Sequence, residues 1–281
     1  MRTRRSFNKA AFALLTTVPA TVPALISPSV AAASSRRRSK EMPGGSAPSN
    51  ESKSPPPSRQ PYTESEQRIA QIPGIPDARF WGDSENSFAR ALPSIAGPWL
   101  ALSAGGGDGA YGAGVLNGWS RSGQRPTFSV VSGVSTGALI APFAFLGSRY
   151  DRILHERFVN VTAADIFEVG ETGESLLNTW PLKKLISQSI SDELVSEVAA
   201  EHQLGRRLFI VTTNLDAERP VVWNMGAIAS APHAEAPKLF RDVLLASASI
   251  PAVFPPVYIK VTADSRSFEE MHVDGGLFGS F

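Results

Sequence analysis

The sequence predicts an α/β fold with a mostly parallel central sheet, and three observations carry that prediction. From Trp99 onward, apolar runs of strand length alternate with runs of helical period. A glycine-rich loop, Gly105 to Gly112, joins the first of those strands to its helix. After the second strand, Gly133-Val134-Ser135-Thr136-Gly137 leads directly into a helix-forming run. Strand, helix, strand, helix in this order calls for right-handed crossovers between parallel strands.

Composition narrows the chemistry. The chain has 281 residues, 42% hydrophobic and 19% charged, enough for one sizeable core. Cysteine is absent, so disulfides, thiolate metal sites and a cysteine nucleophile are excluded. His155, His202, His233 and His272 include no pair at metal-ligand spacing, and neither a metal nor a cofactor is expected. The formal net charge of +1 depends on residues 1–33, where Arg2, Arg4, Arg5 and Lys9 meet no acid; beyond them 23 basic residues face 26 acidic ones. That balance gives a nucleic-acid partner no support.

Residues 1–33 read as an export signal: a basic start, an apolar stretch from about Ala10 to Ile26, and the small-residue site Ala31-Ala32-Ala33. Arg4-Arg5 followed by Phe7 and Lys9 resembles a twin-arginine signal, which predicts a periplasmic or secreted protein. An uncleaved anchor is the alternative, although Pro19 and Pro23 leave the stretch short of the roughly 20 apolar residues of a spanning helix. Residues 34–61, rich in Ser, Pro and charge, read as a disordered linker. Its Arg36-Arg37-Arg38 and Lys40 are solvated charge or a transient contact with a lipid surface.

The folded domain is expected over residues 62–281, opening with a short helix through Ile69. Trp99 to Ser103 and Phe128 to Val131 are the first strands, each followed by a helix, from Ala110 to Trp119 and from Ala138 to Phe145. Pro181 to Ser189 and Ser191 to His202 have helical period, with Ser191 as an N-cap. Leu208 to Thr213 and Pro220 to Asn224 follow as strands, and Leu239 to Ser247 as a helix.

Ser135 occupies the place of a nucleophile. A serine on a tight strand-to-helix turn is lifted above the sheet edge, and Gly133 and Gly137 let strand and helix approach. The helix beneath supplies partial positive charge where an oxyanion would form.

The glycine loop has two readings. Gly107, Gly109 and Gly112 satisfy the dinucleotide-binding pattern G-x-G-x-x-G, but no Asp or Glu occurs between Asp108 and Asp151 to hold a ribose. In the second reading Gly105, Gly106 and Gly107 offer backbone donors to an oxyanion formed at Ser135. The base that Ser135 needs is either one of the histidines, His233 and His272 being the better placed, or Asp274 in the turn Asp274-Gly275-Gly276.

A glycine-rich loop (Gly105 to Gly112), a G-x-S-x-G serine (Gly133 to Gly137), an A-S-x-x-x-P segment (Ala246 to Pro251) and a D-G-G turn (Asp274 to Gly276) follow one another here. In this order and spacing they resemble the patatin-like phospholipases, over roughly Trp99 to Gly276. The resemblance implies a three-layer α/β/α fold acting on lipid acyl esters. It also implies a Ser135–Asp274 dyad without histidine, supported by Gly109, Gly112, Gly133, Gly137, Gly275 and Gly276. Two features depart from the pattern: Asp108 stands where the family's loop often has Arg or Lys, and the chain stops at Phe281, from which a C-terminally truncated, weakly active protein is expected. A histidine-dependent serine esterase, a dinucleotide-binding protein and an inactive homologue are the alternatives.

Overall fold

The computed structural model describes residues 59–92, 96–159, 168–172, 175–178 and 180–279. The expected export signal, and the expected linker as far as Ser58, lie outside these residues. The described chain opens with α1 (Glu64–Ile69), whose Thr63 and Glu66 form a reciprocal capping box, then β1 (Arg79–Trp81) and α2 (Glu85–Ala91). The strand β2 (Trp99–Leu102) and helix α3 (Gly109–Arg121) lead to β3 (Val130–Val134), α4 (Thr136–Leu146) and α5 (Asp151–Val159). A two-stranded antiparallel pair, β4 (Glu168–Thr172) and β5 (Ser175–Asn178), precedes α6 (Trp180–Ser189) and α7 (Asp192–Gln203). The remainder is β6 (Arg207–Asn214), β7 (Arg219–Asn224), α8 (Met225–Ser230), α9 (Ala236–Ser247), β8 (Val257–Ala263) and β9 (Arg266–Asp274).

The α/β class stands, but the sheet is mixed rather than mostly parallel. Only its centre is parallel: β2 pairs with β3, and β3 with β6. β7 pairs antiparallel with β6 and β1, and β9 antiparallel with β6 and β8. The reason lies in connection length. A parallel crossover needs a dozen or more residues, whereas β6 and β7 are separated by Leu215 to Glu218 alone, which permits only a hairpin. β8 and β9 are joined through Asp264 and Ser265, with Asp264 at φ 52° as a tight hairpin requires.

One detail of the register places the site. β7 lies along Phe209 to Asn214 of β6, so β3 and β9 share the other edge of that strand. Val134, the last residue of β3, stands opposite Val211, and Asp274, the last residue of β9, stands opposite the next residue, Thr212. The two strands run toward each other and meet tip to tip.

The core is packed around α4, which is buried nearly all round, as its uniformly apolar sequence requires. Two buried arginines hold its carboxyl end. Arg125 donates to the carbonyl of Ala144 at 3.0 Å and Arg206 to that of Phe145 at 2.6 Å, their charges met by Asp151 and Glu201. Among the described residues, no helix is long and apolar enough to cross a membrane.

Candidate active site

The turn at Ser135 is tight because the surrounding backbone leaves no room for side chains. A Cβ on Gly137 would lie 2.2 Å from the carbonyl oxygen of Leu102, and one on Gly133 would lie 2.5 Å from that of Gly137. Ser135 itself is held at φ 55°, ψ −124°, a costly conformation for a residue with a Cβ. The turn is stabilised from outside by Ser247, at the end of α9. Its hydroxyl accepts the backbone N–H of Ser135 at 3.1 Å and donates to the carbonyl of Val211 at 2.7 Å.

Across the junction of β3 and β9, the hydroxyl of Ser135 donates to Oδ2 of Asp274 at 2.6 Å. Both side chains are buried, so little water competes for this bond. The other carboxylate oxygen accepts the N–H of Gly276 at 2.8 Å, and the Asp274 N–H is taken by the carbonyl of Ser249. Gly275 lies against β6, where a Cβ would stand 2.4 Å from the carbonyl oxygen of Val211. The D-G-G sequence is thus read by close approach at Gly275 and by a carboxylate-accepted N–H at Gly276. Burial pushes the Asp274 carboxyl above its ordinary value, against the hydrogen bonds from Ser135 and Gly276 that favour its charged form.

The histidines are placed elsewhere. His272 is wholly buried within a polar chain: Trp223 Nε1 donates to Thr212 Oγ1 at 2.8 Å, and Thr212 faces His272 Nδ1 at 3.0 Å. The ionised Glu270 carboxylate can only accept, so the His272 proton lies on Nε2, which faces it at 3.2 Å, and Nδ1 of the neutral ring accepts from the Thr212 hydroxyl. Glu270 is paired in turn with Arg79. Burial pushes the imidazole below its ordinary value, consistent with a neutral ring that holds the strand carrying Asp274. His233 accepts the N–H of Glu235, His202 sits beside Arg207, and His155 is exposed on α5.

Ser135 opens onto an apolar cavity of about 260 Å³. Gly106, Gly107 and Thr136 lie on its wall with the serine, and Thr136 Oγ1 donates to the carbonyl of Gly106 at 2.9 Å, tying the glycine loop to the turn. Gly106 is at φ 52°, which suits glycine, and a Cβ on Gly109 would collide with Thr136 at 2.1 Å. Gly105 lies outside the wall, and Gly112 has ordinary space around it, with the nearest atom, on Ile140, 3.7 Å from its Cβ position. The close packing that a dinucleotide fingerprint demands of its last glycine is therefore not needed here. The far wall is built by Leu139 and Phe143 of α4, Leu182 and Ile186 of α6, and Leu244 of α9. Among the described residues no cluster of metal-ligating side chains occurs.

Sequence reasoning located Ser135, Asp274 and the loop but gave Ser247 and Thr136 no role. Ser247 belongs to the A-S-x-x-x-P segment, and it reaches the turn because α9 ends beneath it.

The model of the family described as patatin-like phospholipase matches residues 100–281. Among solved structures the chain is similar to VipD from Legionella pneumophila, with a TM-score of 0.43 and 12% sequence identity, covering 73% of this chain and 50% of that one. It thus spans about half the length of the VipD chain. No curated protein matches it.

Proposed function

Because the chain belongs to the patatin-like phospholipase family, we propose that it hydrolyses acyl esters of lipids with Ser135 as nucleophile and Asp274 as its general base. The observation that carries this reading is the 2.6 Å hydrogen bond from Ser135 to Asp274 at the wall of an apolar cavity. The three-layer arrangement implied by the sequence resemblance belongs to the same reading.

In the proposed reaction, the Ser135 oxygen attacks the ester carbonyl carbon while its proton passes to Asp274. The negative charge that develops on the carbonyl oxygen faces the backbone N–H groups of Gly106 and Gly107 and the amino end of α4. Collapse of the tetrahedral adduct breaks the bond to the alcohol, which leaves with the proton held by Asp274. Water then attacks the acyl-enzyme, giving its proton to Asp274, and the fatty acid departs as Ser135 is restored. A carboxylate can serve as base here because burial raises its proton affinity and the serine is already bonded to it.

The test is hydrolysis of a chain-length series of esters by purified protein, together with labelling by a fluorophosphonate. Wild type should be labelled and active, and Ser135→Ala neither. Equal labelling of both proteins would sink the proposal.

A further inference from the structure

Among the described residues that line the cavity, most are apolar and one side chain is charged. Ser135, Thr136 and Ser189 are its neutral polar residues, and Arg157, in the last turn of α5, alone carries a charge. Arg157 is half-buried, and Phe158, the next residue, packs within 3.5 Å of the Cβ position of Gly109, so the end of α5 lies against the glycine turn.

Three arginines of nearby segments are occupied. Arg125 pairs with Asp151, Arg149 with Glu197, and Arg152 with Glu156. No carboxylate among the described residues pairs with Arg157. A cation partly removed from water against hydrocarbon is costly unless an anion joins it, and a guanidinium fork matches the oxygens of a phosphate or carboxylate.

We propose that the substrate is a single-chain acyl ester carrying an anionic group on its alcohol part, and that Arg157 binds that group while the chain fills the cavity. The volume supports one chain, since about 260 Å³ falls below the roughly 300–1,000 Å³ of pockets that take drug-sized ligands. The proposal rests on the acyl hydrolysis argued above and adds the specificity determinant.

The experiment compares 1-oleoyl lysophosphatidate with 1-mono-oleoylglycerol, which share the chain and the ester and differ in the phosphate. Wild type should favour the anionic ester in kcat/KM by about tenfold or more, the worth of one charge-assisted hydrogen bond. Arg157→Gln, shown to be folded by its thermal melt, should bring the two esters to parity through a raised KM for lysophosphatidate. Arg157→Lys keeps the charge without the fork and should retain part of the preference. Cleavage of both esters without preference in wild type, or an undiminished preference in folded Arg157→Gln, would overturn the assignment while leaving acyl hydrolysis in place. Cleavage of neither ester would remove both.

Discussion

Ser247 and Ser135 are joined through the backbone of Ser135, with the Ser247 hydroxyl accepting the Ser135 N–H at 3.1 Å and donating to the carbonyl of Val211. The hydroxyl is thus both an acceptor under a strained residue and an anchor to β6. Ser247→Ala would leave a buried N–H and a buried carbonyl without a partner, at about 1–3 kcal/mol each. We expect a lowered melting temperature and a kcat reduced roughly 10- to 100-fold, with slowed fluorophosphonate labelling, because the turn loses its support. Unchanged labelling kinetics would show that the strain at Ser135 is held by packing alone.

Replacing either member of the pair should abolish turnover to a similar extent. Ser135→Ala and Asp274→Asn should each lower kcat by roughly 10⁴-fold or more, and the double variant should be little worse, since the two act as one unit. Activity should also fall on acidification. Asp274 accepts a proton only as the carboxylate, and burial places its titration above the ordinary 3.8. The acid limb of kcat/KM should therefore lie above that value, and in Asp274→Asn it should vanish with the activity.

The neutral His272 makes stability depend on pH. Its folded value lies below the ordinary 6.5, because burial disfavours the imidazolium, so between the two values the unfolded chain binds a proton that the folded one does not. Stability is then full above about 6.5 and declines as the pH falls through that window. Glu270 acts in the same direction at lower pH: burial opposes its charge, but His272 and Arg79 outweigh it and hold it below the usual carboxylate range. Urea titrations across pH 7 to 5 should show the loss, and His272→Gln should flatten it at the cost of a lower overall stability.

Glycine substitutions separate close approach from convenience. Gly137→Ala would put a Cβ 2.2 Å from a backbone oxygen of β2, which cannot yield, and should cost roughly 3 kcal/mol or more or prevent folding. Gly112→Ala meets ordinary contacts inside α3 and should be neutral or stabilising by up to about 1 kcal/mol. Soluble expression and chemical denaturation of the two variants provide the comparison.

For residues 1–33, paired arginines followed by an aromatic and a lysine lead us to propose export by the twin-arginine route. Changing Arg4 and Arg5 together to lysine should trap precursor inside the cell. Undiminished export of the double variant would point to the general secretory route.

The parallel centre of the fold was legible because its strands are continuous apolar runs followed at once by helices, as at Val130 to Leu146. The antiparallel remainder was not, because β1 has only three residues and β9 alternates around the charged and polar Glu269, Glu270 and His272. Glu270 and His272 face partners supplied by distant segments, Arg79 and Thr212, and no local pattern announces that. The hairpin of β8 and β9 did leave a trace: alternation at Ile259, Val261 and Ala263 that stops at Asp264-Ser265. Ser135 was readable from local geometry and Asp274 from the resemblance, while Arg157 gave no signal, since an arginine in an amphipathic helix reads as solvated charge.

The tip-to-tip meeting of β3 and β9 has a consequence for the order of events as the chain folds. The serine turn can form from local segments, but its hydrogen-bond partner Asp274 arrives from 139 residues away and only after β9 has docked on the edge of β6 left free by β3. A contact of that separation carries the loop-closure cost that makes long-range pairing slow. Reactivity at Ser135 should therefore appear late during refolding, after helix formation and collapse, so that the chain is chemically silent until β9 is in register.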